Sequence, residues 1–226
     1  MMIMTTRKLI SLFLFLSLTS ISFSQDDDFG IWYGISVEHK LIKNLEFDLS
    51  GNVRTYQNAS KIEEAFLEAG LTYKFIRNLS LGGSYRFTEF RDDNASYHPR
   101  HKWFVDLKGN LPLGHFDISA RVRLQERYKT YFQDENDKIP RTHIRYKIKI
   151  LYNIPSFPVN PFISAELFCP VSSEKKRSVD KNRFMAGAEY NINKKNSVEA
   201  EYIFQRDYLP HLSDINVISL GYNLKF

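Results

Sequence analysis

The side chains in this sequence best suited to chemistry are arginines and carboxylates set two residues apart along extended stretches. Arg86, Arg121, Arg123 and Arg145, with Lys147, each sit between apolar neighbours, as in Arg121-Val122-Arg123-Leu124 and Arg145-Tyr146-Lys147. Glu64, Glu68, Asp106, Glu166, Glu189, Glu199 and Glu201 fall on the polar side of their own stretches. A guanidinium is a planar, permanently charged fork that fits carboxylate or phosphate. Two chemistries follow: an anion path or lipid-phosphate site, or an ion-pair network that fills an interior. The carboxylates are about as numerous as the arginines, which favours the network.

Nucleophilic chemistry would need a serine with a histidine in reach and a third polar group to orient it. His143 with Ser119 or Ser84 is the set that shares a face. With six histidines in the chain, such sets arise easily by chance. No Gly-x-Ser-x-Gly, HExxH, CxxC or phosphate-cradling glycine loop occurs, and Gly82-Gly83-Ser84 lies inside an extended stretch, where close packing explains it. The sequence calls for no cofactor and no metal. The single cysteine, Cys169, excludes an internal disulfide.

The elements that must position these groups are strands. From residue 29 onward apolar and polar side chains alternate, the period of a strand with two unlike faces. Phe116, Ile118, Ala120, Val122 and Leu124 oppose Asp117, Ser119, Arg121, Arg123 and Gln125. Ile144, Tyr146, Ile148 and Ile150 oppose His143, Arg145, Lys147 and Lys149. A helix would mix the two classes on every face. Eleven such segments are expected, at 29–40, 45–54, 64–75, 79–91, 100–111, 116–127, 144–152, 161–169, 183–190, 197–206 and 216–226. Connections after odd-numbered segments are short, and Pro112-Leu113-Gly114 reads as a tight turn. Those after the fourth, sixth and eighth are longer and charged, among them the run Lys175-Lys176-Arg177. Membrane barrels show this asymmetry of short periplasmic turns and long outer loops. The fold class expected is all-β: an antiparallel up-and-down transmembrane β-barrel of ten to twelve strands. Single-chain bacterial barrels use an even number. Segments from residue 45 onward would close ten strands, with 29–40 entering the lumen or edging the barrel, and a twelfth strand is the other solution.

The ends of the chain agree with that class. Residues 1–24 read as a signal peptide: Arg7 and Lys8, an apolar run over 9–23, then Ser22-Phe23-Ser24 as the small-x-small cleavage pattern. Residues 25–226 are then the barrel domain. The formal charge is +5, of which Arg7 and Lys8 supply two, too slight and too interleaved for nucleic acid. Mean hydropathy is −0.37 and no later run nears the length of a membrane helix. Aromatics make up 15% of the chain, and membrane barrels hold theirs in girdles at the two interfaces. Phe75, Phe116, Tyr152 and Phe226 fall toward the short-turn end, Phe87 and Trp103 toward the other. The closing stretch carries Gly221, Tyr222, Leu224 and Phe226 in the pattern by which outer-membrane barrels present a terminal strand to their assembly machinery. Period two does not say which face is outside. The aromatic placement and the mixed charges of the polar face favour apolar-out, toward lipid.

Three stretches carry a resemblance: Tyr85-Arg86-Phe87-Thr88, Arg121-Val122-Arg123-Leu124-Gln125-Glu126-Arg127, and Pro161-Phe162-Ile163-Ser164-Ala165-Glu166-Leu167-Phe168. With Arg145 and residues 187–190, the chain resembles the small Bacteroidetes outer-membrane barrels catalogued as domain of unknown function 2490. The resemblance implies an outer-membrane barrel and brings no activity and no catalytic residues. The functional expectation is a structural or binding barrel with a charge-paired, largely closed lumen. Its partners would be outer-membrane lipids and the assembly machinery, and the sequence fixes no oligomeric state. A narrow anion-conducting pore and a lipid-modifying hydrolase are the alternatives.

Overall fold

In a computed structural model, residues 28–92, 94–132, 138–171, 179–208 and 212–226 are described. The leader at 1–24 and the Lys175-Lys176-Arg177 run lie outside them. The described residues form eleven strands: β1 (Asp28–Ile42), β2 (Leu45–Tyr56), β3 (Lys61–Ile76), β4 (Leu79–Arg91), β5 (Tyr97–Leu113), β6 (Phe116–Lys129), β7 (Arg141–Tyr152), β8 (Val159–Pro170), β9 (Lys181–Asn191), β10 (Asn196–Asp207) and β11 (Ser213–Lys225). Each pairs antiparallel with its sequence neighbour, and the sheet closes on itself where β1 meets β11. That closing pair is parallel, running from Asp28↔Ile215 to Glu38↔Lys225.

Closure through a parallel seam is what lets an odd number of strands make a barrel. The first segment is therefore a full stave, bonded to β2 on one side and β11 on the other. It neither enters the lumen nor edges a ten-strand barrel, and no twelfth strand is needed. Its start is tied down. The Asp28 carboxylate accepts the backbone N–H groups of Gln57 at 3.0 Å and Asn58 at 3.1 Å. Those residues and Ala59 all have positive φ, a costly left-handed turn for side chains of this kind, and the carboxylate offsets part of that cost.

Strand ends run one to three residues past the expected bounds at most positions. β5 continues through Pro99 and Pro112, because a proline near a strand end forfeits few ladder bonds. The turn expected at residues 112–114 tightens to Gly114-His115, with Gly114 at φ +61°. In β3 the pairing steps from Arg54↔Glu64 to Thr55↔Ile62, leaving Glu63 as a bulge. A bulge puts two successive residues on nearly the same side, so Glu63 and Glu64 both face the lumen cavity.

The apolar face is outside. Ile35, Leu67, Val105, Leu124, Ile148 and Leu220 are all exposed on the barrel wall. Tyr73, Phe75, Phe116, Tyr190 and Phe226 are exposed toward the short-turn end, and Phe87, Tyr97 and Trp103 toward the other. Inside, the packing is mixed. Met185, Ile203 and Val217 form a buried apolar cluster with Trp32 and Ile215 on the wall made by β9, β10, β11 and β1. Gly187 allows the close approach of β9 to β10, since a Cβ there would collide with the Ala200 carbonyl oxygen.

Candidate functional site

The lumen is crossed at mid-height by a collar of arginines and aromatic rings. Alternation turns one residue in two inward, and the register of neighbouring strands then decides which inward groups meet. Arg54 of β2 lies over Trp32 of β1 at 3.9 Å and Phe66 of β3 at 5.0 Å. Arg86 of β4 lies over that same Phe66 at 3.8 Å and over Phe104 of β5 at 5.1 Å. Arg123 of β6 covers Phe104 at 4.3 Å, and Arg145 of β7 covers Phe168 of β8 at 4.2 Å. Arg183 of β9 spans Phe168 and Trp32, at 4.9 and 5.0 Å, and so completes the circuit. Each contact of this kind is worth about 0.5–2 kcal/mol, more when desolvated, and it fixes the plane of the guanidinium.

Carboxylates lock the collar. Arg123 donates to both oxygens of Asp106 at 2.6 Å, the bidentate geometry that makes such pairs strong. Glu166 is buried and gathers Arg121 at 2.6 Å, Arg145 at 2.8 Å and Arg183 at 4.0 Å. Glu68 holds Arg86 at 2.6 Å. Glu64 takes Arg54 at 2.7 Å and Lys102 at 3.6 Å. Toward the short-turn end, Lys149 reaches Glu199 at 2.9 Å and lies over Phe162 at 3.7 Å. Glu201 accepts from Ser219. Lys147 stands opposite Glu166 in the register, and Glu189 opposite Glu199. Arg54, Lys102, Lys149 and Arg183 were absent from the sequence-derived set, as were the inward rings of Phe66, Phe104, Phe162 and Phe168. The only sequence signal for them is that they share parity with the charges already named.

Two cavities flank the collar. One of about 660 Å³ opens at the end where the longer connections lie, and one of about 350 Å³ sits on the short-turn side. Trp32, Arg54 and Arg183 line both and form part of the partition.

The serine–histidine set is not assembled. His143 Nε2 is 2.7 Å from Asp180 Oδ2. Ser84 lies on the same rung but three strands away, through Phe104 and Gln125. That is about 14 Å along the sheet at 4.8 Å per strand. Ser119 pairs with Lys149, six residues from His143, or about 20 Å at 3.3 Å per residue. Neither hydroxyl is in hydrogen-bonding reach. Among the described residues no group of three or more metal-ligating side chains converges.

In the closing strand, Gly221 faces inward opposite Gly34, while Tyr222 and Phe226 are exposed outside. The Tyr222 hydroxyl donates to Asn196 at 2.6 Å. Phe226 donates its N–H to the Glu38 carbonyl at 2.9 Å, so the terminal residue is held by β1 beyond the end of β11.

A closed barrel that is apolar outside and charge-filled within is the architecture of outer-membrane β-barrel proteins. The chain belongs to the family described as Protein of unknown function (DUF2490), whose model matches residues 29–216. It is similar to the NanC porin, at 15% identity and a TM-score of 0.57, over 88% of this chain and 99% of that one. It is also similar to the β domain of the Bordetella autotransporter Brka, at 10% identity and a TM-score of 0.53, over 83% of this chain and 86% of that one. At these identities the likeness establishes the fold. No curated protein matches the sequence.

Proposed function

We infer that this chain is an outer-membrane barrel whose lumen is shut by the arginine–aromatic collar, and that its role is structural or binding rather than passive conduction. The observation that carries this reading is the convergence of Arg121, Arg145 and Arg183 on the buried Glu166, which lines the smaller cavity while Arg183 borders both. Membrane placement is supported by the wall itself. A continuous apolar belt with aromatics at both rims far exceeds the patch of a few hundred Å² that a soluble monomer exposes. In this reading residues 1–24 are a cleaved leader, outer-membrane lipids surround 25–226, and the short turns face the periplasm. The resemblance carried by residues 85–88, 121–127 and 161–168 adds a Bacteroidetes-type envelope.

Planar-bilayer recording tests the shut lumen. The refolded barrel is expected to insert and stay silent. A second reading, the narrow anion pore, is favoured by the excess of cations in the collar: Arg54, Arg86, Arg121, Arg123, Arg145 and Arg183 against Glu64, Glu68, Asp106 and Glu166. A steady anion-selective conductance, lowered by Arg121→Gln or Arg123→Gln, would replace the first reading with the second.

Recognition by the assembly machinery is assigned to Gly221, Tyr222, Leu224 and Phe226. Removing Phe226 deletes an exposed ring and a few backbone bonds to β1. The variant is expected to refold in detergent with normal heat-modifiable migration while its amount in the outer membrane falls several-fold. Equal loss in both assays would make Phe226 a stability residue instead.

A further inference from the structure

We propose that a notch on the outer wall, across β1 to β4, seats one membrane lipid whose headgroup carries an ammonium beside a phosphate. This names the lipid partner of the wall and rests on the membrane placement inferred above. The notch measures about 600 Å³ and is cut where small side chains fall on the apolar face. Gly51 stands between Ile35 and Leu67, and on the next outward rung toward the long-loop end Ala65 stands between Val53 and Glu89. Tyr33 on β1 and Phe87 on β4 flank the hollow. A Cβ at Gly51 would meet only the methyl groups of Leu67 at 3.4 Å and Ile35 at 3.9 Å, so the recess comes from side-chain size and not from crowded backbone. A recess of this kind in an apolar belt gives a methylene chain dispersion contacts on several sides, where a convex wall gives them on one.

The end of the notch selects the lipid. Among the described residues Glu89 is the one charged side chain that lines it, and it makes no ion pair there. Glu126, another outward carboxylate, instead accepts from the Tyr128 hydroxyl. A charge on a lipid-facing wall is costly at mid-membrane and tolerated near the interface. Glu89 stands at the interface. Phe87 lies two residues toward the middle, and Arg91, two residues toward the rim, pairs with Tyr97; both rings are exposed and belong to the aromatic girdle of that end. Arg91 shares the outer face and likewise makes no ion pair among the described residues. The wall therefore offers a carboxylate and a guanidinium about 7 Å apart along β4, at 3.3 Å per residue, above an apolar recess. A headgroup with an ammonium beside a phosphate complements both charges. A phosphate without an ammonium would leave Glu89 facing a like charge.

Quenching by brominated lipids tests the site. Trp103→Phe with Tyr33→Trp puts a reporter in the notch, and Trp103→Phe with Tyr146→Trp puts one on the far wall, since Tyr33 and Tyr146 are both exposed outside. Trp32 faces the lumen beneath Arg54 and Arg183 and adds a constant background. Each variant is refolded into phosphatidylcholine vesicles with a rising share of phosphatidylethanolamine brominated on its chains. The notch reporter is expected to reach half-quenching at a share about fivefold lower than the far-wall reporter, the preference one solvated ion pair gives. Brominated phosphatidylglycerol should quench the two alike. Glu89→Gln should abolish the preference and Ala65→Leu, which fills the notch, should lower it, with heat-modifiable migration unchanged in both. Equal quenching of the two reporters by phosphatidylethanolamine, or a preference that Glu89→Gln leaves as it was, would overturn the proposal. A notch reporter screened from every brominated lipid, in a barrel that crosslinks as a dimer, would overturn it in favour of a second copy as the occupant. Failure of the membrane placement reads differently, because then no brominated lipid quenches either reporter.

Discussion

Glu166→Ala is expected to destabilise the barrel by about 3–5 kcal/mol, the cost of removing one partner from a buried ion pair. Glu166 is buried on β8 and is the shared acceptor for Arg121 and Arg145. Without it two guanidinium groups face each other in the lumen, with Arg123 beside them and already committed to Asp106. The midpoint of urea unfolding in detergent, followed through loss of heat-modifiable migration, measures the effect. The paired charges are not expected to be better than an apolar filling. Glu166→Leu combined with Arg121→Met and Arg145→Met should regain most of the loss, because three apolar side chains replace a network whose desolvation cost roughly cancels its attraction. A loss below about 1 kcal/mol for Glu166→Ala, the range of solvated pairs, would show that water fills the collar and would remove the ground for a shut lumen.

The parallel seam makes an all-or-none prediction. Ile35 on β1 lies directly opposite Tyr222 on β11, both on the outer face. Neighbouring strands place paired Cα atoms at about 4.8–5.5 Å, inside the window for a disulfide. With Cys169→Ser removing the native thiol, Ile35→Cys and Tyr222→Cys should crosslink almost completely on mild oxidation and shift gel migration after unfolding. Ile35→Cys with Ile218→Cys, four residues out of register or about 13 Å away, should not. A ten-strand barrel with β1 displaced would give no crosslink in either pair, and that result would sink the eleven-strand closure.

What was legible in the sequence was whatever period two encodes. β4 spans Leu79–Arg91 as its alternation indicates, because Arg77-Asn78 and the polar cluster after Arg91 punctuate it on both sides. The division into an apolar and a charged face follows from the same alternation, and the placement of the aromatics pointed the apolar one outward. Closure was not legible. A strand's own residues do not name its neighbour, so nothing in 29–40 distinguishes a stave bonded to β11 from an extra edge. Partner choice in the collar was hidden for a related reason. Asp106 and Arg123 meet because they share a rung, and Glu166 and Arg121 meet two strands apart, through Lys147. Both depend on register, and long side chains reach across rungs as well as along them. Glu63 was hidden most deeply, since a bulge breaks the period on which every facing assignment rests.

An odd number of staves also gives the polypeptide a direction that even barrels lack. In an even barrel the first and last strands run opposite ways, and both ends of the chain leave on one side of the bilayer. Here β1 and β11 run the same way, and Asp28 is clamped to the turn between β2 and β3. Asp28, where β1 begins, therefore stands at the rim opposite the one that holds Phe226. A segment fused ahead of β1 and one fused behind β11 would start from opposite rims of the barrel, where an even barrel would start both from one.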